Sequence, residues 1–221
     1  MFRKLFGVWK KQSLMNQALK NLEKMFKESR SMFENSTDAL INNKEMEVDI
    51  YKTDKNLNNL EIETRRKILE HLSVNPQQDI IASFIFVDVV RDLERIGDVS
   101  KAIVKLNETY LEKFESDKYT DVLRGSKSKI DTMFDLTLKA FMEADEDSAA
   151  KVESMYEDEI RVTLDKTVRE IMNDSEITVK KAIAYTLLTR YLRRISGHLT
   201  NIASTVASPF DRVRHDKTDI D

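Results

Sequence analysis

The sequence predicts an all-α protein built as two tandem antiparallel three-helix bundles, and three observations point there. Only 4 Gly and 2 Pro occur in 221 residues, too few for the many tight turns a sheet requires. Apolar and small residues recur at gaps of three and four over long stretches, the spacing of a seam on a bundle helix. The pattern then repeats: Leu93-Glu94-Arg95-Ile96 and Leu192-Arg193-Arg194-Ile195, and again Ile103 and Ile202, stand 99 positions apart.

Taken in order, Ala18, Leu22, Met25, Ser29, Met32, Ser36 and Ala39 trace the first helix. Met46, Ile50, Leu57, Leu60, Thr64, Ile68 and Leu72 trace the second, which Asn75-Pro76 stops because proline disfavours helical geometry in the residue before it. The third carries Ile81, Ile85, Val89, Leu93, Ile96, Val99, Ile103, Leu106 and Tyr110; a span from Asp79 to Phe114 would be roughly 50 Å long at about 1.5 Å per residue. Val122, Ser126, Ile130, Met133, Thr137 and Phe141 form the fourth. Asp145-Glu146-Asp147 breaks the chain and caps the fifth, whose stripe of Val152, Met155, Tyr156, Glu159, Val162 and Ile171 is weaker. After Asn173-Asp174-Ser175, residues Ile177 to Val206 make the sixth, which ends before Pro209 and leaves a polar tail. The order of the first three helices is thus repeated, and the boundary falls near Ser116 to Tyr119, giving bundles of residues 1–116 and 117–221.

Composition removes several function classes. Lys+Arg 36 against Asp+Glu 39 leaves a net charge of −3, without the basic excess of a protein that grips nucleic-acid phosphates. With no cysteine there are no disulfides, thiolate metal sites or cysteine nucleophiles, which agrees with a reducing cytoplasm. No apolar run reaches the ~20 residues of a membrane span, and Arg3, Lys4, Lys10 and Lys11 interrupt any signal-peptide core. The positions three before His71, His198 and His215 are Ile68, Ile195 and Arg212, so the Glu-x-x-His motif of di-iron bundles is missing. Neither a glycine-rich phosphate loop nor a Gly-x-Ser-x-Gly elbow occurs. The sequence offers no case for an enzyme.

One turn stands out. Asp92-Leu93-Glu94-Arg95-Ile96-Gly97-Asp98 places a glycine inside a strongly helical segment, at about 1 kcal/mol relative to alanine, so a reason for it is expected. This run resembles the signature of the PhoU family, bacterial phosphate-signalling regulators, which carry an acid-Arg-Ile-Gly-Asp run on the third helix of each bundle. Asp54-Lys55-Asn56-Leu57-Asn58-Asn59-Leu60-Glu61 is similar to the family's second-helix pattern, and Ile195-Ser196-Gly197-His198-Leu199-Thr200-Asn201-Ile202-Ala203 is similar to its Ile-Gly-Asp-His-Ala-Thr-Asn-Ile-Ala. The resemblance spans nearly the whole chain. It implies paired three-helix bundles, association with a phosphate ABC transporter ATPase and a sensor histidine kinase, negative regulation of phosphate-starvation signalling, and surface carboxylate sites for metal ions. It also allows a homodimer.

On a helix the carboxylates of Glu94 and Asp98 share one face, pointing away from the apolar stripe. Two such groups repel by a few tenths of a kcal/mol unless a cation lies between them. Hard oxygen donors suit magnesium, manganese, calcium or iron, with zinc a further candidate. The plainer reading is a solvated acidic face balanced by Arg91 and Arg95. Asp54, Asn58 and Glu61 share a face of the second helix and are either further ligands or surface charges and caps. Asp88 and Asp92, at the edge of the stripe, are expected in structural ion pairs with Arg95 or cations of neighbouring helices. The second repeat departs from the signature: Arg193 stands at the Glu94 position, Gly197 at the Asp98 position, and on the fifth helix Asp158 matches Asp54 while Val162 replaces Asn58. That bundle is expected to bind metal weakly or not at all, with His198 a surface or core histidine before it is a ligand.

At the start of the chain Phe2, Leu5, Phe6 and Trp9 fall on one helical face among four basic residues and no acid. The segment either folds back as an extra turn or meets a membrane surface or partner groove through Phe2, Phe6 and Trp9. The leading expectation is a cytoplasmic phosphate-uptake regulator, with peripheral contact at the inner face of the membrane. The alternatives are a metal-binding protein or scaffold without a signalling role, and the cytosolic part of a sodium/phosphate co-transporter. A start at Met1 without a span favours a free-standing protein over the last of these.

Overall fold

The structure is a computed structural model that describes residues 13–74, 79–110 and 112–207. Every regular element among them is helical: α1 (Ser13–Asn42), α2 (Ile50–Val74), α3 (Ile80–Thr109), α4 (Lys118–Glu143), α5 (Glu146–Ser154), a π-helical turn (Met155–Ile160), α6 (Arg161–Met172) and α7 (Val179–Ala207). The first three helices make one bundle; α4, the continuous rod from α5 through the π turn to α6, and α7 make the other. The third helix is shorter than its apolar pattern suggested. It stops at Thr109, and Tyr110 and Phe114 instead lie buried in the connection, meeting edge-to-face in turn towards Tyr185 of α7 at ring-centre distances of 5.3 and 5.0 Å. Burial of these rings, rather than helix continuation, explains why apolar residues persist past the helix end.

Capping and crowding explain the local boundaries. The Asp117 carboxylate accepts from the backbone N–H groups of Tyr119 and Thr120 and opens α4; Asp145 does the same for α5 through Asp147 and Ser148. Asn43, Asp79 and Ala144 adopt left-handed backbone at helix junctions. The weak stripe of the fifth helix also has a cause. Met155 and Ile160 are both buried although five residues apart, a spacing that would place them on different faces of an α-helix; the wider π turn brings both inward and lets Leu164, Thr167 and Ile171 resume the seam.

The bundles join through two antiparallel helix pairs. Along α1 and α4, Phe26 meets Phe141 at 6.2 Å and Phe33 meets Phe134 at 5.4 Å, with Lys127 reaching Asp38 at 3.3 Å further along. Along α3 and α7, His198 pairs with Asp92 at 3.0 Å, while Lys180 lies over Tyr110 at the far end. In each pair the numbers rise on one helix as they fall on the other, so the repeats are related by an approximate two-fold axis perpendicular to the helices. α2 packs on α1 and α3, and the α5–α6 rod packs on α4 and α7, leaving both as the outer members of their bundles. One continuous apolar core runs through both.

Candidate functional site

The second and third helices of the first bundle meet at Gly97. A β-carbon there would come within 2.6 Å of Leu57 Cδ2 and 3.5 Å of Met32 Sδ. The approach to Met32 is ordinary, but real β-carbons do not come within 2.6 Å of a neighbour, so the glycine leaves the room that Leu57 of α2 occupies against α3. This close approach brings the side chains flanking Leu57 against those flanking Gly97.

Around that contact the predicted carboxylates gather. Lys101 Nζ sits between Asp54 Oδ1 at 2.8 Å and Asp98 Oδ1 at 2.9 Å, tying α2 to α3. Asn58 Nδ2 lies 3.5 Å from Asp54 Oδ2, at the outer edge of a hydrogen bond. Arg95 reaches Asp98 at 3.0 Å and Glu94 at 3.5 Å, and Glu61 pairs with Arg65 at 2.8 Å. Glu94 differs from the expectation of a face turned fully outward: its side chain is half-buried. Burial, then the neighbouring Asp98 carboxylate, and more weakly Glu61, push its carboxyl up to about 7. Asp98 faces the same burial, but the hydrogen bond and charge of Lys101 outweigh it and hold its carboxyl below the usual range; it also accepts from the Glu94 carboxyl. Near neutral pH, Glu94 and Asp98 therefore share a proton while Lys101 supplies the positive charge between Asp54 and Asp98. Among the described residues no three of Asp, Glu or His converge closely enough to hold a metal ion as the side chains stand. As the side chains stand, the positive charge among these carboxylates is that of Lys101 and Arg95.

The plain reading of Glu94 and Asp98 thus has substance, since Arg95 does balance them, while Arg91 makes no ion pair or hydrogen bond among the described residues. Lys101 escaped the sequence reading, although its place three residues after Asp98 was the available signal. Asp92 is buried, and its partner is His198 of α7, so this acid and this histidine stitch the bundles together. A single sequence carries no signal for that contact, because it crosses between repeats.

The second repeat has the opposite chemistry at equivalent places. Arg193, at the Glu94 position, pairs with Asp165, which stands seven residues after Asp158 as Glu61 stands seven after Asp54. Two repelling acids in the first bundle are replaced by a closed ion pair in the second. Asp158 accepts from Ser154 Oγ at 2.9 Å, Val162 is exposed, and at Gly197 a β-carbon would meet Tyr156 only at an ordinary 3.6 Å. Phe2, Phe6 and Trp9 lie outside the described residues, as do Pro76, Pro209, His215 and the polar tail. No helix among the described residues is long and apolar enough to cross a membrane.

Comparison with known proteins gives a consistent picture. A model of the PhoU domain family matches residues 22–106 and again 125–206. The chain is 25% identical over 171 residues to a phosphate-specific transport system accessory protein PhoU homolog of Clostridium acetobutylicum, covering 71% of this chain and 73% of that one. It is 32% identical over 121 residues to the PhoU homolog 1 of Thermotoga maritima, covering 52% and 50%. The crystal structure of PhoU from Pseudomonas aeruginosa superposes with a TM-score of 0.77 at 22% identity, covering 88% of this chain and 95% of that one. The phosphate transport system regulatory protein PhoU from Streptococcus pneumoniae superposes at 0.76 and 18% identity, covering 86% and 92%.

Proposed function

The chain belongs to the PhoU family, and on that premise we propose that it is an accessory regulator of phosphate-specific transport that restrains phosphate-starvation signalling by docking on the transporter ATPase and a sensor histidine kinase. The observation that carries this reading is the family match in both repeats, over residues 22–106 and 125–206. The relatives named as accessory proteins of phosphate-specific transport support the assignment to that system. The protein acts in the cytoplasm, where both partners present their soluble domains.

The first bundle is the regulatory half in this account. A divalent cation such as manganese, magnesium, iron or zinc would be held by Glu94 and Asp98 with Asp54, with Glu61 and Asn58 at the margin. Bound there, the ion would supply two positive charges in place of one lysine and one proton. Lys101 would swing out and Glu94 would release its proton, so binding should strengthen as pH rises through about 7. The second bundle, with Arg193 closed on Asp165, serves as a docking body without a cation.

Co-purification tests the role. Tagged protein from cells grown in excess and in limiting phosphate should retain the transporter ATPase, the kinase or both, in amounts that change with phosphate. Recovery of neither partner under either condition would overturn the proposal.

A further inference from the structure

The last helix of the second bundle has an unusual charge balance. Across its 29 residues α7 carries five cations, Lys180, Lys181, Arg190, Arg193 and Arg194, and no carboxylate. Three are neutralised from elsewhere: Lys180 by Glu112, Lys181 by Asp117 and Arg193 by Asp165. Arg190 and Arg194 are exposed, stand one turn apart, and make no ion pair or hydrogen bond among the described residues.

The same stripe of α7 is apolar at its other end. Val179, Ile183 and Leu187 are spaced by four, and Arg190 and Arg194 follow at gaps of three and four, so all five fall along one ridge about 22 Å long. Val179 is 77% exposed and Ile183 55%. The Arg193–Asp165 pair sets the register of α6 beside this ridge. On α6, Val162 and Arg169 are exposed, and Met172, 78% exposed, lies at the turn leading to Val179. Arg169 likewise has no side-chain partner among the described residues. The equivalent groove of the first bundle holds Glu94, Asp98, Asp54 and Glu61.

We propose that the α6–α7 face of the second bundle is a docking surface for an anionic phospholipid membrane. Three guanidinium groups without internal partners match a negatively charged headgroup layer, and an amphipathic ridge with arginine at one end and aliphatic side chains at the other matches the boundary between headgroups and acyl chains. The apolar members are Val, Ile, Leu and Met without an aromatic ring. Docking here leaves the carboxylate groove of α2 and α3 on the other side of the approximate two-fold axis, free for the role argued above.

Flotation of the full chain with vesicles tests the proposal. The protein should bind vesicles of 30% phosphatidylglycerol in phosphatidylcholine, should not bind pure phosphatidylcholine, and should release as salt rises. Each basic residue at an anionic surface is worth about a five-fold gain in affinity, so Arg190→Gln with Arg194→Gln should weaken binding about 30-fold. Ile183→Asn should weaken it without altering the charge. Arg66→Gln, an exposed α2 arginine without a side-chain partner among the described residues, should leave it unchanged. A circular dichroism melt confirms that each variant is folded. Failure to bind the anionic vesicles overturns the proposal, and so does binding that survives the double arginine change. Salt-sensitive binding to a Glu/Leu amphipathic peptide, without vesicle binding, would assign the face to a protein partner and overturn it equally.

Discussion

Replacing Glu94 with glutamine removes a titration without removing bulk. In the folded chain the Glu94 carboxyl is pushed up to about 7 from an ordinary 4.5, by burial first and by the Asp98 carboxylate second. The native state therefore binds more protons than the unfolded chain between those values, so the Glu94 contribution to stability is greatest below pH 4.5 and is lost as pH rises through about 7. A rise from 4.5 to 7 corresponds to at most about 3.4 kcal/mol, at about 1.36 kcal/mol per pH unit. Glu94 sits at the rim of the groove, where water screens part of this, and about 2 kcal/mol is the working expectation. The assay is urea unfolding of the native chain and Glu94→Gln at intervals from pH 5 to pH 8.5. The native chain's stability relative to the variant should fall by about 2 kcal/mol across that window, with most of the fall between pH 5 and 7 and a level stretch above about 7.5. A difference that stays flat with pH, or grows as pH rises, refutes the picture of a shared proton between Glu94 and Asp98.

Gly97→Ala gains about 1 kcal/mol of helix propensity but drives a methyl group against Leu57, so it should destabilise by about 1–2 kcal/mol in chemical denaturation. Combined with Leu57→Ala the two costs should be less than additive by 1 kcal/mol or more, and strict additivity would mean the side chains do not meet. Asp117 resists burial through the Thr120 backbone N–H, the Tyr185 hydroxyl and Lys181, which hold its carboxyl down at about 2. Its stabilisation is present above its unfolded value near 4 and is lost as pH falls toward 2. Asp117→Ala should cost about 2 kcal/mol between pH 5 and 8 and distinctly less at pH 2.5, read from thermal melts.

How far the sequence predicts this molecule depends on the range of the interaction. Helix seams are local, so Leu22, Met25, Met32, Ile96 and Ile103 are readable from spacing and are buried. The acid turn is also local, and the oddity of Gly97 within it pointed to a packing constraint before Leu57 could be identified as the reason. What escaped depends on distant partners. The end of α3 was overestimated because Tyr110 and Phe114 find their burial against Tyr185, about 70 residues further along the chain. The π turn is invisible to a search for gaps of three and four, because Met155 and Ile160 keep their burial at a gap of five. Asp92 and His198 belong to different repeats and acquire meaning only when α3 and α7 are set antiparallel. Lys101 lies in the middle ground: its spacing from Asp98 was visible, but its reach to Asp54 needed the α2–α3 contact.

Calorimetric titration of manganese into the purified full chain at pH 8 addresses the carboxylate groove most directly. The account predicts one site, lost in Glu94→Gln with Asp98→Asn, untouched by Arg193→Gln, and about tenfold tighter in Lys101→Met because the competing ammonium is gone. Equal binding by the native chain and the Glu94/Asp98 double variant, or a second site that depends on the Arg193–Asp165 region, would contradict it.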